Sequence, residues 1–336
     1  MYDRINKKMV GNMTKNMNYE MGKISNTYKI IDLFAGIGGI RLGFEKAFKN
    51  RSKFVFSSEI DKYAQQTYFE NFKELPFGDI TKIEESNIKE HDILLAGFPC
   101  QAFSIAGLRK GFDDTRGTLF FDVARILKFH KPKVVFLENV KGFVNHDNGK
   151  TFDVIKNTLE ELGYKIYYKV LNSKDFGSPQ NRERIYIVGF LNKEINFDFP
   201  SVENNENDIK KCLEKIVDSK YYYNDKPLFE KIKDDVISEN TVYQWRRKYV
   251  RENKSGICPT LTANMGTGGH NVPIIKDKFG IRKLTPRECA NFQGFPNDYK
   301  LPSNIVDSQL YKQFGNSVCI NVVERIAENI FIALEK

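Results

Sequence analysis

A single cysteine stands where chemistry is possible, in the stretch G-F-P-C-Q-A-F-S-I-A-G at residues 97–107. Cys100 follows the apolar run I-L-L-A (93–96), and Pro99 stiffens the approach to it. A buried, inert thiol is the commonest fate of a free cysteine. A thiol on a loop after a strand, at the edge where α/β proteins bind ligands, is instead placed to act as a nucleophile. This stretch by itself leaves both interpretations open.

Glu138 favours the nucleophile. It ends the run K-V-V-F-L-E-N (133–139), a strand too apolar to carry a carboxylate at its tip without a reason. A helix cap or a solvated strand end would be one reason. Acid–base work beside a nucleophile would be another, because Glu138 shares a sheet edge with Cys100.

A row of hydrogen-bond donors follows in Q-N-R-E-R (180–184). Gln180, Arg182 and Arg184 alternate at the start of a strand and therefore point to one face. A solvated sheet edge would explain them, but donors directed at an anion or a carbonyl are the sharper interpretation. The candidate catalytic set is Cys100, Glu138, Gln180, Arg182 and Arg184.

Three further features indicate a nucleoside cofactor. The turn F-A-G-I-G-G (34–39) follows a strand and opens a helix, so backbone N–H groups face outward there. Glu59 ends the next strand about 20 residues on, where an acidic residue can bind ribose hydroxyls. Asp79, in G-D-I-T, could hold an adenine amino group. The turn is not G-x-G-x-x-G, which argues against a nicotinamide cofactor.

Regular elements must position these side chains. Apolar runs and helical periodicities alternate from Lys29 to Phe190, which predicts an α/β fold with a mostly parallel sheet and helices on both faces. The predicted strands are 29–35, 54–59, 92–96, 133–139, 164–172 and 184–190. The predicted helices are 36–48, 62–73, 118–129 and 152–163.

The pattern becomes polar, aromatic and irregular over residues 191–280, which predicts a second, smaller domain. Within it, Q-W-R-R-K-Y-V-R-E-N-K (244–254) interleaves basic and aromatic residues. Helical character returns after Leu284, and residues 317–334 form a strongly amphipathic pattern.

Composition limits the class of protein. The 336 residues carry a net charge of +9 with a pI near 9.0, which favours a polyanionic partner. The five cysteines are odd in number and lack C-x-x-C spacing, so we predict neither a disulfide framework nor a zinc site. Reduced thiols of this kind predict a cytoplasmic location. No apolar run approaches the ~18 residues of a membrane span. Residues 1–27 have no periodicity and are predicted to be a disordered leader.

Together these motifs resemble the DNA (cytosine-5)-methyltransferases, in particular the bacterial restriction–modification type. D-L-F-A-G-I-G-G, the P-C loop, E-N-V, Q-x-R-x-R and F-G-N-S occur in the family's order from about Ile30 to the C-terminus. The resemblance implies an S-adenosylmethionine-dependent, Rossmann-like fold with S-adenosylhomocysteine as product and no metal. The cofactor residues that it implies are Phe34, Gly36, Ile37, Gly38, Glu59, Ile60, Asp79, Ile80, Pro99, Leu119, Asn316 and Ser317.

The resemblance also implies the chemistry. The Cys100 thiolate attacks C6 of a flipped-out cytosine, Glu138 stabilises charge at N3, and Arg182 and Arg184 contact O2 or the adjacent phosphate. A base, with solvent water as a candidate, then removes the C5 proton. The loop 107–117, with Gly107, Gly111 and Gly117 as hinges, resembles the family's mobile lid. Ala106 departs from the serine of the best-known relatives, which puts a specific contact from that position in doubt.

The implied partners are double-stranded DNA and a restriction endonuclease, and we expect a monomer. The predicted DNA contacts are Arg246, Arg247, Lys248, Arg251, Lys254 and Thr260. A solvated basic face is the alternative for the cations. In this family the last helix packs onto the first domain, so residues 28–192 plus 305–336 would form the catalytic domain and 193–304 the target-recognition domain and hinge.

Three other functions are weighed against this one. A tRNA-methylating member of the family would share the catalytic residues but usually has a different, more compact recognition region, and the basic stretch 244–254 favours duplex DNA. A non-catalytic DNA-binding relative would not need Cys100, Glu138 and Arg184 together. A nicotinamide-dependent oxidoreductase leaves the same residues unexplained.

Overall fold

The structure, a computed structural model, describes residues 27–99, 119–202, 207–267 and 272–336. Three predictions lie outside these ranges: the leader up to Asn26, Cys100 itself, and the lid from Gly107 to Gly117.

A six-stranded sheet forms the centre of the molecule, in the order β2-β1-β3-β4-β6-β5. The first four of these strands are parallel, and β6 pairs antiparallel with both β4 and β5. The predicted mostly parallel α/β sheet is confirmed. The strands are β1 (Tyr28–Leu33), β2 (Ser52–Ser58), β3 (Ile93–Ala96), β4 (Val134–Val140), β5 (Lys165–Asn172) and β6 (Glu183–Phe190).

Helices cover both faces of this sheet, as predicted. One apolar core joins helices α1 and α8 to the first face, and a second core joins α3 and α4 to the other. The helices are α1 (Gly39–Phe48), α2 (Lys62–Phe72), α3 (Leu119–His130), α4 (Lys150–Glu161), α5 (Phe229–Ile232), α6 (Pro286–Phe292), α7 (Asp307–Asn316) and α8 (Ile320–Glu335). In the ranges that the structure describes, no helix has the length and apolar character needed to cross a membrane.

The C-terminal helix α8 packs directly on α1. A Cβ on Gly43 would lie 2.6 Å from Val323 Cγ1, so only glycine allows this approach. Arg51 and Glu335 add an ion pair at 2.7 Å. The last segment of the chain therefore completes the core that the first segment begins. The exact boundaries of the catalytic and target-recognition domains stay predictions.

A second, antiparallel sheet occupies the region whose sequence pattern is irregular. Its order is β10-β9-β7-β8, with a small core around Tyr243, Ile274 and Ile281. The strands are β7 (Tyr243–Trp245), β8 (Val250–Glu252), β9 (Ile274–Asp277) and β10 (Gly280–Lys283). Strands of three or four residues are too short to show a clear alternation of apolar and polar residues, which is why the sequence pattern missed them.

Asp32, near the end of β1, is fully buried, and neither of its carboxyl oxygens has a hydrogen-bond partner among the described residues. Burial raises its pKa from 3.8 to about 8, and the nearby Arg41 opposes this shift only in part. The folded protein therefore keeps a proton here that the unfolded chain releases at lower pH.

The consequence is a pH-dependent stability that Asp32→Asn should remove. Between pH 4 and 8 the folded state binds the extra proton, so the free energy of unfolding of the wild type should fall, relative to the variant, by at most about 1.4 kcal/mol per pH unit. Urea unfolding at several pH values measures this difference. Asp298→Asn, at an exposed position, is the control. Parallel pH profiles for wild type and Asp32→Asn would contradict the prediction.

Candidate active site

A cavity of about 460 Å³ opens at the carboxyl ends of the parallel strands. Its wall combines residues that end or follow β1, β2, β3 and β4 with Arg184 of β6 and the segment 312–318 around the end of α7. Eleven of the predicted cofactor residues line it: Phe34, Gly36, Ile37, Glu59, Ile60, Asp79, Ile80, Pro99, Leu119, Asn316 and Ser317.

The turn between β1 and α1 is built from unusual backbone angles. Phe34, Gly36 and Gly38 have φ values of 55°, 55° and 79°. This folding directs the Gly36 N–H to Glu59 Oε2 at 2.8 Å, and Asp61 N–H donates to Glu59 Oε1 at 2.7 Å. Burial raises the pKa of Glu59 and these N–H groups oppose the rise. Glu59 is thus held rigidly, with further lone pairs available as acceptors.

Gly38 is the predicted cofactor residue that the structure leaves off the cavity wall. A Cβ there would lie 2.2 Å from Phe72 Cε2, so this glycine lets the turn pack on α2. The neighbouring Gly39 has a related role, because its Cβ would lie 2.5 Å from Ser317 Oγ. Because neither glycine has a side chain, the turn after β1 can pack against α2 and against residues 315–317 at the end of α7 (the 315–317 turn).

Asp79 lies on the wall and has a stable charge. Its Oδ1 accepts hydrogen bonds from the Thr81 hydroxyl at 2.8 Å and the Thr81 N–H at 3.1 Å. The Thr81 hydroxyl is the main reason why the pKa of Asp79 is lowered.

Side chains that the sequence pattern did not predict close one side of the cavity. Lys312 on α7 pairs with Asp61 at 2.6 Å, and both residues line the wall. Beside them, Thr67 Oγ1 donates to Gln313 Oε1 at 2.9 Å. Asp61 also caps α2, which is a recognisable sequence signal. Lys312 has no comparable signal.

Glu138 and Arg184 form a buried ion pair in the same wall. Arg184 Nε lies 3.0 Å from Glu138 Oε1. Burial raises the pKa of Glu138, while Arg184 and then Arg182 oppose the rise. The antiparallel pairing of β4 with β6 brings the two side chains together.

The chain that leads to Cys100 passes beside this pair. A Cβ on Gly97 would lie 3.5 Å from Glu138 Oε2, and Asn139 Nδ2 donates to the Phe98 carbonyl at 3.0 Å. Phe98 and Pro99 also line the cavity. The structure thus holds the residues immediately before the predicted nucleophile against the predicted acid.

Gln180 and Arg182 are fully buried and lie away from the cavity wall. Gln180 Oε1 accepts from the Leu261 N–H at 3.1 Å. Arg182 Nη1 donates to the Leu261 carbonyl at 2.8 Å, and Nη2 donates to the carbonyls of Gly315 and Ser317. The catalytic roles of Gln180 and Arg182 stay predictions, and these hydrogen bonds bind both side chains to the protein's own backbone.

Most of the predicted DNA contacts lie on or next to an exposed β-hairpin. Arg246, Arg247 and Lys248 are exposed in the loop between β7 and β8, which the Arg246 N–H closes on the Tyr249 carbonyl at 2.9 Å. Arg251 and Lys254 are also exposed. Thr260, nearer the catalytic domain, donates from Oγ1 to the Asn181 carbonyl at 2.5 Å.

The fold is of the α/β methyltransferase type. The structure of the Entamoeba histolytica methyltransferase EhMeth superposes with a TM-score of 0.73 at 22% identity, over 93% of this chain and all of that chain. The Schizosaccharomyces pombe (S. pombe) Dnmt2 methyltransferase gives 0.72 at 21% identity, over 92% and 98%. At these identities the similarity concerns the fold alone.

The chain belongs to the C-5 cytosine-specific DNA methylase family, whose model matches residues 28–332. It is 54% identical over 312 residues to the type II methyltransferase M.Bsp6I of Bacillus sp. (strain RFL6), covering 90% of this chain and 98% of that protein. It is 48% identical over 323 residues to M.HhaI of Haemophilus parahaemolyticus, covering 90% and 94%. The prediction of a DNA (cytosine-5)-methyltransferase of the restriction–modification type is confirmed. The family uses S-adenosylmethionine as methyl donor.

Proposed function

We propose that the cavity binds S-adenosylmethionine and that Cys100, Glu138 and Arg184 act on a cytosine beside it. The residues of the wall suit such a ligand. Glu59 would accept hydrogen bonds from the ribose hydroxyls and Asp79 from the adenine amino group, and Asn316 and Ser317 would contact the methionine moiety. Ile60, Ile80, Pro99 and Leu119 add apolar contacts. When bound, the cofactor supplies an electrophilic methyl group.

The buried Glu138–Arg184 pair, in the same wall as these residues, is the observation that carries the proposal. The Cys100 thiolate forms a bond to C6 of cytosine, and the C5–C6 π electrons become available at C5 to take the methyl group. Glu138 donates a hydrogen bond to N3, and Arg184 stabilises the negative charge that develops. A base, for which solvent water is the candidate, then takes the C5 proton, and the electrons of that C–H bond restore the C5–C6 double bond as the C6–S bond breaks and the thiolate leaves.

The substrate is a cytosine rotated out of a DNA duplex, which costs a few kcal/mol of unstacking. We assign the reading of a short site to the small sheet and its basic hairpin. The methylated site would be protected from a partner endonuclease. We place the enzyme in the bacterial cytoplasm as a monomer that uses no metal.

Transfer of labelled methyl from S-adenosylmethionine to duplex DNA, compared with tRNA, tests this function. We expect label on cytosine of DNA, and bisulfite sequencing of DNA from an expressing host then identifies the site. Label on tRNA alone would favour the tRNA-methylating alternative. Failure to trap a covalent adduct on a 5-fluorocytosine duplex with cofactor would favour a non-catalytic DNA-binding protein.

The basic hairpin gives a separate prediction. Changing Arg246 and Lys248 together to alanine should weaken DNA binding and reduce the slope of log K against log salt by about one for each lost phosphate contact. Fluorescence anisotropy over a range of salt concentrations measures the slope. Lys53→Ala, which removes an exposed cation from β2, should leave it unchanged. An unchanged slope in the hairpin variant would show that these residues form a solvated surface that does not contact DNA phosphates.

A further inference from the structure

Residues 180–182, which immediately precede β6, bind a segment of the small domain. Gln180 forms a parallel bridge with Cys258, and the Asn181 N–H donates to the Cys258 carbonyl at 2.8 Å. Farther along, Gln180 Oε1 and Arg182 Nη1 bind the N–H and the carbonyl of Leu261. Both backbone groups of Leu261 are therefore occupied by side chains of the large domain.

The same arginine binds the turn that closes the cofactor cavity. Its second terminal nitrogen, Nη2, donates to the carbonyls of Gly315 and Ser317. Ser317 lines the cavity together with Asn316. Arg182 is thus bound at once to the cofactor wall and to the segment that carries Thr260.

The two segments also touch each other directly. A Cβ on Gly315 would lie 2.2 Å from the carbonyl carbon of Thr262 and 2.4 Å from the Ala263 nitrogen. Contact this close means that a shift of the 315–317 turn must displace residues 261–263 or separate from them.

The buried charge of Arg182 makes movement of either segment costly. Arg182 is 2% exposed, its Nε has no hydrogen-bond partner among the described residues, and burial with the neighbouring Arg184 lowers its pKa. Three carbonyls therefore accept its hydrogen bonds, and the Glu138 carboxylate adds a favourable charge interaction. Movement of either segment would remove a partner from a buried cation, which is costly, so the two segments favour their bound positions together.

We propose that Arg182 is a positioning residue that couples cofactor binding to DNA binding. A ligand that orders the 315–317 turn orders residues 260–262 through Arg182, and DNA bound at Thr260 orders the turn in return. This coupling is reciprocal by thermodynamic necessity. The inference rests on the proposed cofactor site and assigns Arg182 a role other than contact with the base.

A thermodynamic cycle tests the coupling. S-Adenosylhomocysteine is used as the probe, so that no methyl transfer occurs, with a duplex that carries the enzyme's own site. DNA affinity is measured with and without the probe for the wild type, Arg182→Lys and Arg282→Lys. The last is a matched control, because Arg282 is equally buried but binds Glu288 and Asp277 within the small domain.

We expect the probe to tighten DNA binding by about 5-fold or more in the wild type and in Arg282→Lys, but by less than about 2-fold in Arg182→Lys. An equal effect in all three proteins would overturn the proposal, and so would an equal loss in both variants. Calorimetry of the probe with the wild type alone distinguishes failure of the proposed cofactor site from failure of the coupling. If the probe does not bind, the cofactor site itself is contradicted.

Hydrogen exchange in the wild type does not depend on the stability of a variant. The probe should slow amide exchange at 315–317 and also at 258–262, which contributes nothing to the cavity wall. Protection of the turn with no change at 258–262 would overturn the coupling.

Discussion

Cys100→Ala is expected to lower methyl transfer to DNA by at least about 10⁴-fold, because removing an enzyme's nucleophile removes the covalent step altogether. Binding of S-adenosylhomocysteine should be retained, since the proposed cofactor contacts lie on other residues. Transfer of labelled methyl at saturating cofactor and DNA measures the loss, and calorimetry measures the retained binding.

Cys212→Ala is the control for this change, because Cys212 is a buried thiol packed among apolar residues and is not part of the cavity wall. It should keep most of the activity. A 5-fluorocytosine duplex adds a second readout: the wild type should form a covalent adduct that survives denaturation, and Cys100→Ala should not. Full methylation by Cys100→Ala would exclude the thiol as nucleophile.

Glu138→Gln is expected to reduce kcat by about 10² to 10⁴-fold, the range typical of losing a positioned acid or base. The amide keeps the size of the side chain but leaves Arg184 without its buried carboxylate partner. Glu183→Gln is a suitable control, since Glu183 lies next to Arg184 in β6 and pairs with the exposed Lys141 at 2.9 Å. Steady-state rates at saturating DNA give kcat. A kcat near that of the wild type would rule out acid catalysis by Glu138.

The pH dependence gives a second test of Glu138. Burial raises its pKa, so the protonated form that donates to N3 persists above the ordinary carboxyl range and is lost as pH rises through the raised pKa. The wild type should therefore lose kcat on this alkaline side, whereas Glu138→Gln should lack that limb. The same limb in both enzymes would assign it to another group.

Much of the candidate site could be predicted because it depends on where strands end. Glu59, Pro99 and Glu138 each follow or end an apolar strand, and the carboxyl ends of parallel strands meet at one edge. Asp79 lies between β2 and β3, where it caps a short 3₁₀ turn. The glycine turn at 34–39 was recognisable for a similar reason, since its backbone conformation requires specific residues at specific positions.

For Gln180, Arg182 and Arg184 the sequence pattern does not predict what each side chain contacts. Alternation predicts three donors on one face of a strand, but β6 begins only at Glu183, so Gln180 and Arg182 precede it. Arg184 lies in β6 and reaches the cavity and Glu138. What lies above that face is decided by packing of the small domain, which covers Gln180 and Arg182 with backbone carbonyls and amides. A strand's own residues carry no signal for a partner 79 to 135 positions away.

The sequence by itself determined the class of fold, the order of its chemical motifs and the side chains that reach the sheet edge, because these follow from local periodicity and chain direction. Tertiary structure alone decided the pairing of Lys312 with Asp61 across 251 positions, the short strands of the small sheet and the burial of Arg182 between two segments. These features depend on which surfaces meet after folding, and contacts between distant segments leave no local pattern.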